Sequence, residues 1–145
     1  EYCATTWNPH REYDITRLES VQRSMTKIVK SIRSLPYAKR LEALGLTTLE
    51  TRRTRGDLIQ FYKIFNNINR INLLNPINLH PPGSTRCHGL RVKHDKPTKY
   101  KNRDFFLTNR ITPLWNLLPS QVVNATNVNT FKNRLDLYLV KNQLK

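Results

Sequence analysis

Chemistry on bonds would have to come from ten carboxylates and a small group of cysteine and histidine side chains. A two-metal polymerase or nuclease holds its ions on clustered carboxylates. The aspartates here are Asp14, Asp57, Asp95, Asp104 and Asp136; the glutamates are Glu1, Glu12, Glu19, Glu42 and Glu50. No two aspartates are adjacent and no pair ends a hydrophobic strand pattern, so the sequence predicts no metal-dependent active site. Cys87-His88 is an adjacent pair with His80 and His94 nearby, but no Cys-x2-Cys or His-x3-His spacing accompanies it. These read as polar loop residues able to help a base or phosphate contact; a structural zinc site on the same four is the alternative. Cys3 and Cys87 are expected to be free thiols. Four glycines form no phosphate-cradling loop, and no Ser, His and Asp set stands out. The segment is expected to hold no catalytic residue, no metal and no cofactor.

Binding chemistry is richer. Lys and Arg number 25 against ten acids, a formal net charge of +15 on 145 residues. Such a surface suits a polyanion, and phosphate neutralisation by it releases counterions and makes affinity fall with salt. Three clusters stand out. Arg23, Lys27 and Lys30 lie within about 60° of one another if they share a helix. Arg52, Arg53 and Arg55 sit in the first turns of another, where cations oppose the helix dipole at a cost of a few tenths of a kcal/mol each. The third is Arg91, Lys93, Lys99, Lys101 and Arg103, with Tyr100 among them. The Tyr100 ring would stack on a base or sugar; a packed cross-strand aromatic is the alternative. A solvated basic face is the plainer reading of all three clusters. No apolar run approaches the roughly 18 residues of a membrane span, so no membrane partner is expected. No signal peptide is evident. The start at Glu1 reads as the middle of a longer, intracellular protein.

Elements must present these clusters. The expected fold is mainly α, a small multi-helix domain with a basic loop or short β-hairpin around residues 84–103. Three parts are expected: an N-terminal helical lobe of three helices over 1–78, the basic loop or hairpin over 79–104, and a C-terminal helical lobe over 105–145. Trp7, Trp115, Phe61, Tyr62, Phe65, Phe105, Phe106 and Phe131 need burial. Asn8 as N-cap and Pro9 start a helix running from Pro9 or Asp14 to Arg33. Its inward stripe is Ile15, Leu18, Val21, Met25, Ile28, Val29 and Ile32. Pro36 opens a short second helix that ends near Leu44, with Gly45 beyond its C-terminus.

Thr47-Thr48-Leu49-Glu50 fits a capping box. It starts a third helix reaching Phe65, with Leu49, Leu58, Ile59, Tyr62 and Phe65 inward. Residues 66–78 carry six asparagines in thirteen positions and read as a loop. From Ser84 to Arg103 the period becomes two, with Asp95-Lys96-Pro97 near a turn. A basic loop that folds only on a partner is the alternative. A helix of about 15 residues follows from Phe105, bent near Pro113 and ended by Leu118-Pro119, with Trp115 in the core. Asn127 or Asn129 caps the last helix, built on Phe131, Leu135, Tyr138 and Leu139.

Spaced residues along most of this length carry a resemblance. They begin with Glu1-Tyr2-Cys3-Ala4-Thr5-Thr6-Trp7-Asn8-Pro9, Asp14-Ile15 and Leu18-Glu19-Ser20-Val21-Gln22-Arg23. They continue with Leu35-Pro36-Tyr37, Arg40-Leu41, Leu44-Gly45-Leu46, Leu49-Glu50, Arg52-Arg53, Arg55-Gly56-Asp57-Leu58-Ile59 and Tyr62-Lys63-Ile64. They close with Phe105-Phe106, Arg110-Ile111, Leu114-Trp115-Asn116, Leu118-Pro119, Val122-Val123, Ala125, Val128, Phe131-Lys132 and Leu135-Asp136. This string resembles the stretch that follows the polymerase domain in non-LTR retrotransposon reverse transcriptases of the jockey and CR1 type. The middle basic stretch matches only loosely.

The resemblance implies a parent enzyme that copies its RNA into DNA at a nicked chromosomal target, usually with an endonuclease upstream. The family's Tyr-x-Asp-Asp type motif is absent here, so no catalytic residue carries over, and Mg²⁺ is expected only in the parent's polymerase domain. The segment's place is that of the thumb and post-thumb region. Its expected partners are template RNA or RNA–DNA hybrid and the upstream polymerase domain, in nucleus and cytoplasm. The role would be phosphate contact with little base readout. The alternative is a scaffold that braces the polymerase core without touching nucleic acid.

Overall fold

The computed structural model describes residues 3–73, 76–81, 88–94 and 104–143. Among them are seven α-helices: α1 (Ala4–Trp7), α2 (Glu12–Met25), α3 (Tyr37–Ala43), α4 (Leu49–Phe65), α5 (Leu107–Leu117), α6 (Ser120–Val123) and α7 (Val128–Gln143). A 3-10 turn covers Lys30–Ile32, and one isolated antiparallel bridge joins Leu79 to Val92. The chain is mainly helical, as its periodicities predict. It divides into two compact units, 1–56 and 57–145.

The first unit is held by polar groups. Among its described residues, Leu41 is the only buried hydrophobic side chain. The expected first helix is shorter than its apolar stripe suggests. Asn8 ends α1 instead of capping α2; it is extended, as a residue before proline must be, and its Oδ1 accepts from Arg53 Nε at 3.0 Å. α2 stops at Met25 because its last carbonyls find other donors. Thr26 Oγ1 donates to Arg23 O at 3.0 Å, and Arg40 Nη2 donates to the same carbonyl at 3.3 Å. Arg40 Nε also reaches Thr26 Oγ1 at 3.1 Å, so a buried guanidinium closes the negative end of α2. The backbone then tightens into i→i+3 bonds, Lys27 N to Ser24 O and Ile28 N to Met25 O, both 3.1 Å.

Glu19 ties α2 to its neighbours. One carboxylate oxygen accepts from the Tyr37 hydroxyl, and the other accepts from the first amide of α4, Leu49 N, at 2.9 Å. Gln22 Nε2 donates to Tyr37 Oη (3.1 Å) and to Thr47 O (2.9 Å). α4 is capped by Thr48, whose Oγ1 accepts from Thr51 N at 3.1 Å. That places the cap one residue later than the expected box, with Thr51 and not Glu50 in its third position. Gly45, at φ +62°, follows α3 as expected, because only glycine enters the left-handed region without strain.

The second unit holds the apolar core. The second half of α4 is buried on several sides through Leu58, Ile59, Phe61, Tyr62 and Ile64. Trp115 of α5 is fully buried at the centre, its ring 5.0 Å from Phe61, 5.3 Å from Phe65 and 6.1 Å from Phe131. Tyr62 stacks on Phe131 at 4.2 Å and donates to Ala125 O at 2.7 Å. Each such side chain contributes about 1.5–3 kcal/mol by burial, and each aromatic pair about 0.5–1.5 kcal/mol more. Asn127 caps α7, its Oδ1 accepting from Thr130 N at 2.8 Å. α5 runs through Pro113 for 11 residues, shorter than the expected 15. Phe105, Phe106 and, in the first unit, Trp7 are exposed instead of joining the core.

Candidate nucleic-acid interface

The third cationic cluster is the one whose described part has strand-like geometry. His80 N donates to Arg91 O at 2.9 Å, and Lys93 N donates to Asn78 O at 2.8 Å. Those bonds bracket the Leu79–Val92 pair, leaving the amide and carbonyl of Val92 turned the other way. Asn116 of α5 receives them: its Oδ1 accepts from Val92 N and its Nδ2 donates to Val92 O, both at 2.9 Å. A side-chain amide thus takes the place of a second neighbouring strand. Just before this, Leu90 O accepts from Trp115 Nε1 at 3.0 Å, and His88 Nε2 lies 3.3 Å from Trp115 O.

The period-two alternation therefore holds across 91–93. Val92 is in the core, while Arg91 and Lys93 share the other face with Asn78 and His80. The observed partner of Val92 is Leu79, flanked by Asn78 and His80 in the expected loop; the return strand expected beyond Asp95 lies outside the described residues. Lys99, Tyr100, Lys101 and Arg103 lie outside the described residues, as do Cys87 and the turn at Asp95-Lys96-Pro97. His88 is buried, packed edge-on to Trp115 at 6.5 Å, so it is a core residue and not a loop contact. Among the described residues, no three His, Cys, Asp or Glu side chains gather to hold a metal.

The first cluster is not one helical face. Arg23 is in the last turn of α2, Lys27 in the turn after it and Lys30 in the 3-10 segment, because the helix that would have aligned them ends at Met25. Lys27 and Lys30 are exposed; Arg23 rests its guanidinium over the Tyr37 ring at 4.9 Å. The second cluster splits as well. Arg53 is only 2% exposed and its Nη2 has no hydrogen-bond partner. A guanidinium in that position cannot meet a phosphate on the surface. Arg52 is exposed and Arg55 half-buried.

Charge is uneven between the units. Residues 57–145 hold 14 of the 25 Lys and Arg but four of the ten acids, a formal net charge of +10. Six acids lie in 1–56, among them Glu19 at the α4 N-terminus and Glu42, paired with Lys39 at 2.9 Å. In the second unit Asp57 is withdrawn from the surface by Arg110, which grips it through Nε and Nη2 at 2.9 and 3.0 Å. Lys93 and Lys141 remain exposed. No helix among the described residues is long and apolar enough to cross a membrane.

A further polar set went unread as a site in the sequence. After α4, Asn67 (φ +57°) takes the left-handed position of a Schellman turn, with Ile68 N on Lys63 O at 2.8 Å and Asn67 N on Ile64 O at 3.0 Å. The chain beyond it curls into a groove of about 1040 Å³ that includes Asn67, Asn69, Arg70 and Asn72. The asparagine run was the visible signal, but composition alone announces a loop and not its concavity. No protein-family model, curated protein or solved structure matches the chain.

Proposed function

We propose that this chain binds RNA or an RNA–DNA hybrid through phosphate contacts, as the thumb and post-thumb segment of a non-LTR retrotransposon reverse transcriptase. The observation that carries the binding role is the net +10 of residues 57–145, together with the isolated Leu79–Val92 bridge that sets Arg91 and Lys93 on one face. Backbone contacts of this kind fix position and affinity and leave sequence unread. The parentage rests on the resemblance of the residue string. The test is a titration of the chain against RNA duplex and RNA–DNA hybrid at several salt concentrations. Affinity should fall with salt, by a log–log slope of roughly −0.9 for each phosphate neutralised. R91Q/K93Q should make that slope shallower by about two phosphates' worth. Salt-independent affinity, or no binding at low salt, overturns the reading.

One observation favours a bracing role for the first unit. No residue of α2 is buried; Val21, Met25 and Ile28 are 60–68% exposed. Val21 and Met25, four residues apart, share one face of α2, and Ile28 follows just beyond its end. In this second reading, 1–56 docks on the parent's polymerase domain while 57–145 meets nucleic acid. M25S/I28S should weaken that docking and leave nucleic-acid affinity of the chain unchanged.

A further inference from the structure

The groove after α4 is built differently from the rest of the basic surface. Its walls are both polar and apolar. Asn67, Arg70 and Asn72 are exposed, and none of their side chains has a hydrogen-bond partner among the described residues. Facing the same space are Phe65, Ile71 and Leu79, the last two 49% and 42% exposed. Phe65 is fixed, its ring packed against Trp115 at 5.3 Å and Phe61 at 6.3 Å. Asn67 is fixed as well, by the two backbone bonds of its turn. A phosphate-only surface needs neither the amides nor the apolar wall.

We infer that this groove takes a short run of unpaired nucleotides, an RNA single strand entering base-first. A carboxamide offers a donor and an acceptor side by side, the complement of an unpaired Watson–Crick edge. Apolar side chains accept the faces of the rings, and the Arg70 guanidinium suits a phosphate or a stacked base. The volume, about 1040 Å³, slightly exceeds the roughly 300–1,000 Å³ range of small-ligand sites and so admits more than one nucleotide. Pairing closes the Watson–Crick edges of a duplex, so only unpaired bases offer that edge to the amides. The assignment rests on the nucleic-acid reading above and adds to it a strand type and a site.

The experiment measures anisotropy of an end-labelled single-stranded RNA and of a blunt RNA duplex on the whole chain, wild type and N67G/N72A. Glycine keeps the left-handed backbone at 67 while removing the amide. The double variant should bind the single strand about tenfold more weakly, with duplex affinity and its salt slope unchanged. N72A alone, at an exposed position, should show a smaller loss in the same direction and guards against a folding defect. Intact duplex binding with unaltered single-strand affinity overturns the groove and leaves the phosphate surface standing. Equal losses on both probes overturn it too. If wild type binds neither probe at low salt, the proposed function falls and the groove assignment with it.

Discussion

Asp57 shows how a carboxylate of unassigned role in the sequence becomes a structural one. Its side chain is 2% exposed and takes both forks of Arg110, while Arg110 Nη1 donates to Phe105 O at 2.8 Å. Removing one partner of such a pair strands the other charge away from water. D57N should therefore lower the unfolding free energy by about 3–5 kcal/mol in chemical denaturation. A loss below about 1 kcal/mol would mean that water screens the pair. Two phenols make a pH-dependent contribution. Burial, then the hydrogen bond to Glu19, raises the Tyr37 pKa above its ordinary 10.0; burial raises that of Tyr62. A raised folded pKa means the native state holds the proton more tightly than the unfolded chain. The stability they add is complete below pH 10.0 and is lost as pH climbs through the folded values. Phenolate absorbance should show a late fraction, from Tyr37 and Tyr62, that ionises together with unfolding. All tyrosines titrating at once in an intact fold would contradict this.

Among the elements, the segment around Val92 depends on one side chain. Without Asn116, the Val92 amide and carbonyl lose their partners, at about 1–3 kcal/mol for each left unsatisfied. N116A should speed hydrogen exchange at the Val92 amide. N116D retains the acceptor for Val92 N but sets a carboxylate against Val92 O, so it should also destabilise, and more so as the new carboxyl ionises. Exchange at Val92 unchanged in N116A would show that the bridge to Leu79 suffices. The sequence revealed Val92's alternation because period two is local. Its partners were not legible, since Asn78–His80 sits in an asparagine- and proline-rich run and Asn116 lies on a helix. α2 shows the same limit from the other side. Its apolar stripe continues past Met25, but the helix does not, because Arg40, 14 residues beyond Thr26, takes the carbonyl end. Caps made of neighbouring residues, Asn127 and Gly45, were readable; a cap brought from a distance was not.

At the level of the whole molecule, apolar burial and net charge gather in the same half. The core of Trp115, Tyr62, Phe61, Phe131, Ile111 and Leu135 lies entirely within 57–145, the half that also carries net +10. The aromatics that the sequence marked for burial are mostly there, because the rings of α4, α5 and α7 meet in one cluster around Trp115. The described residues of 1–56 place their hydrogen bonds at helix ends and bury one hydrophobic side chain. Local opening free energy follows buried apolar contact. Amides of α2 should therefore exchange at least about a hundredfold faster than those in the second half of α4, in α5 and in α7, roughly 2.7 kcal/mol less protection. RNA should slow exchange around 64–79 and 91–93 if those residues meet the strand, and leave α2 unaffected. Protection of α2 equal to that of α7 in the chain alone would mean that its exposed Val21 and Met25, with Ile28 just beyond its end, are already covered. In that case M25S/I28S should restore fast exchange, and a self-associated chain would be the species measured. Fast exchange in α2 together with a cooperative second unit would mean that nucleic-acid contact can be made by the stable half while the first awaits a protein surface.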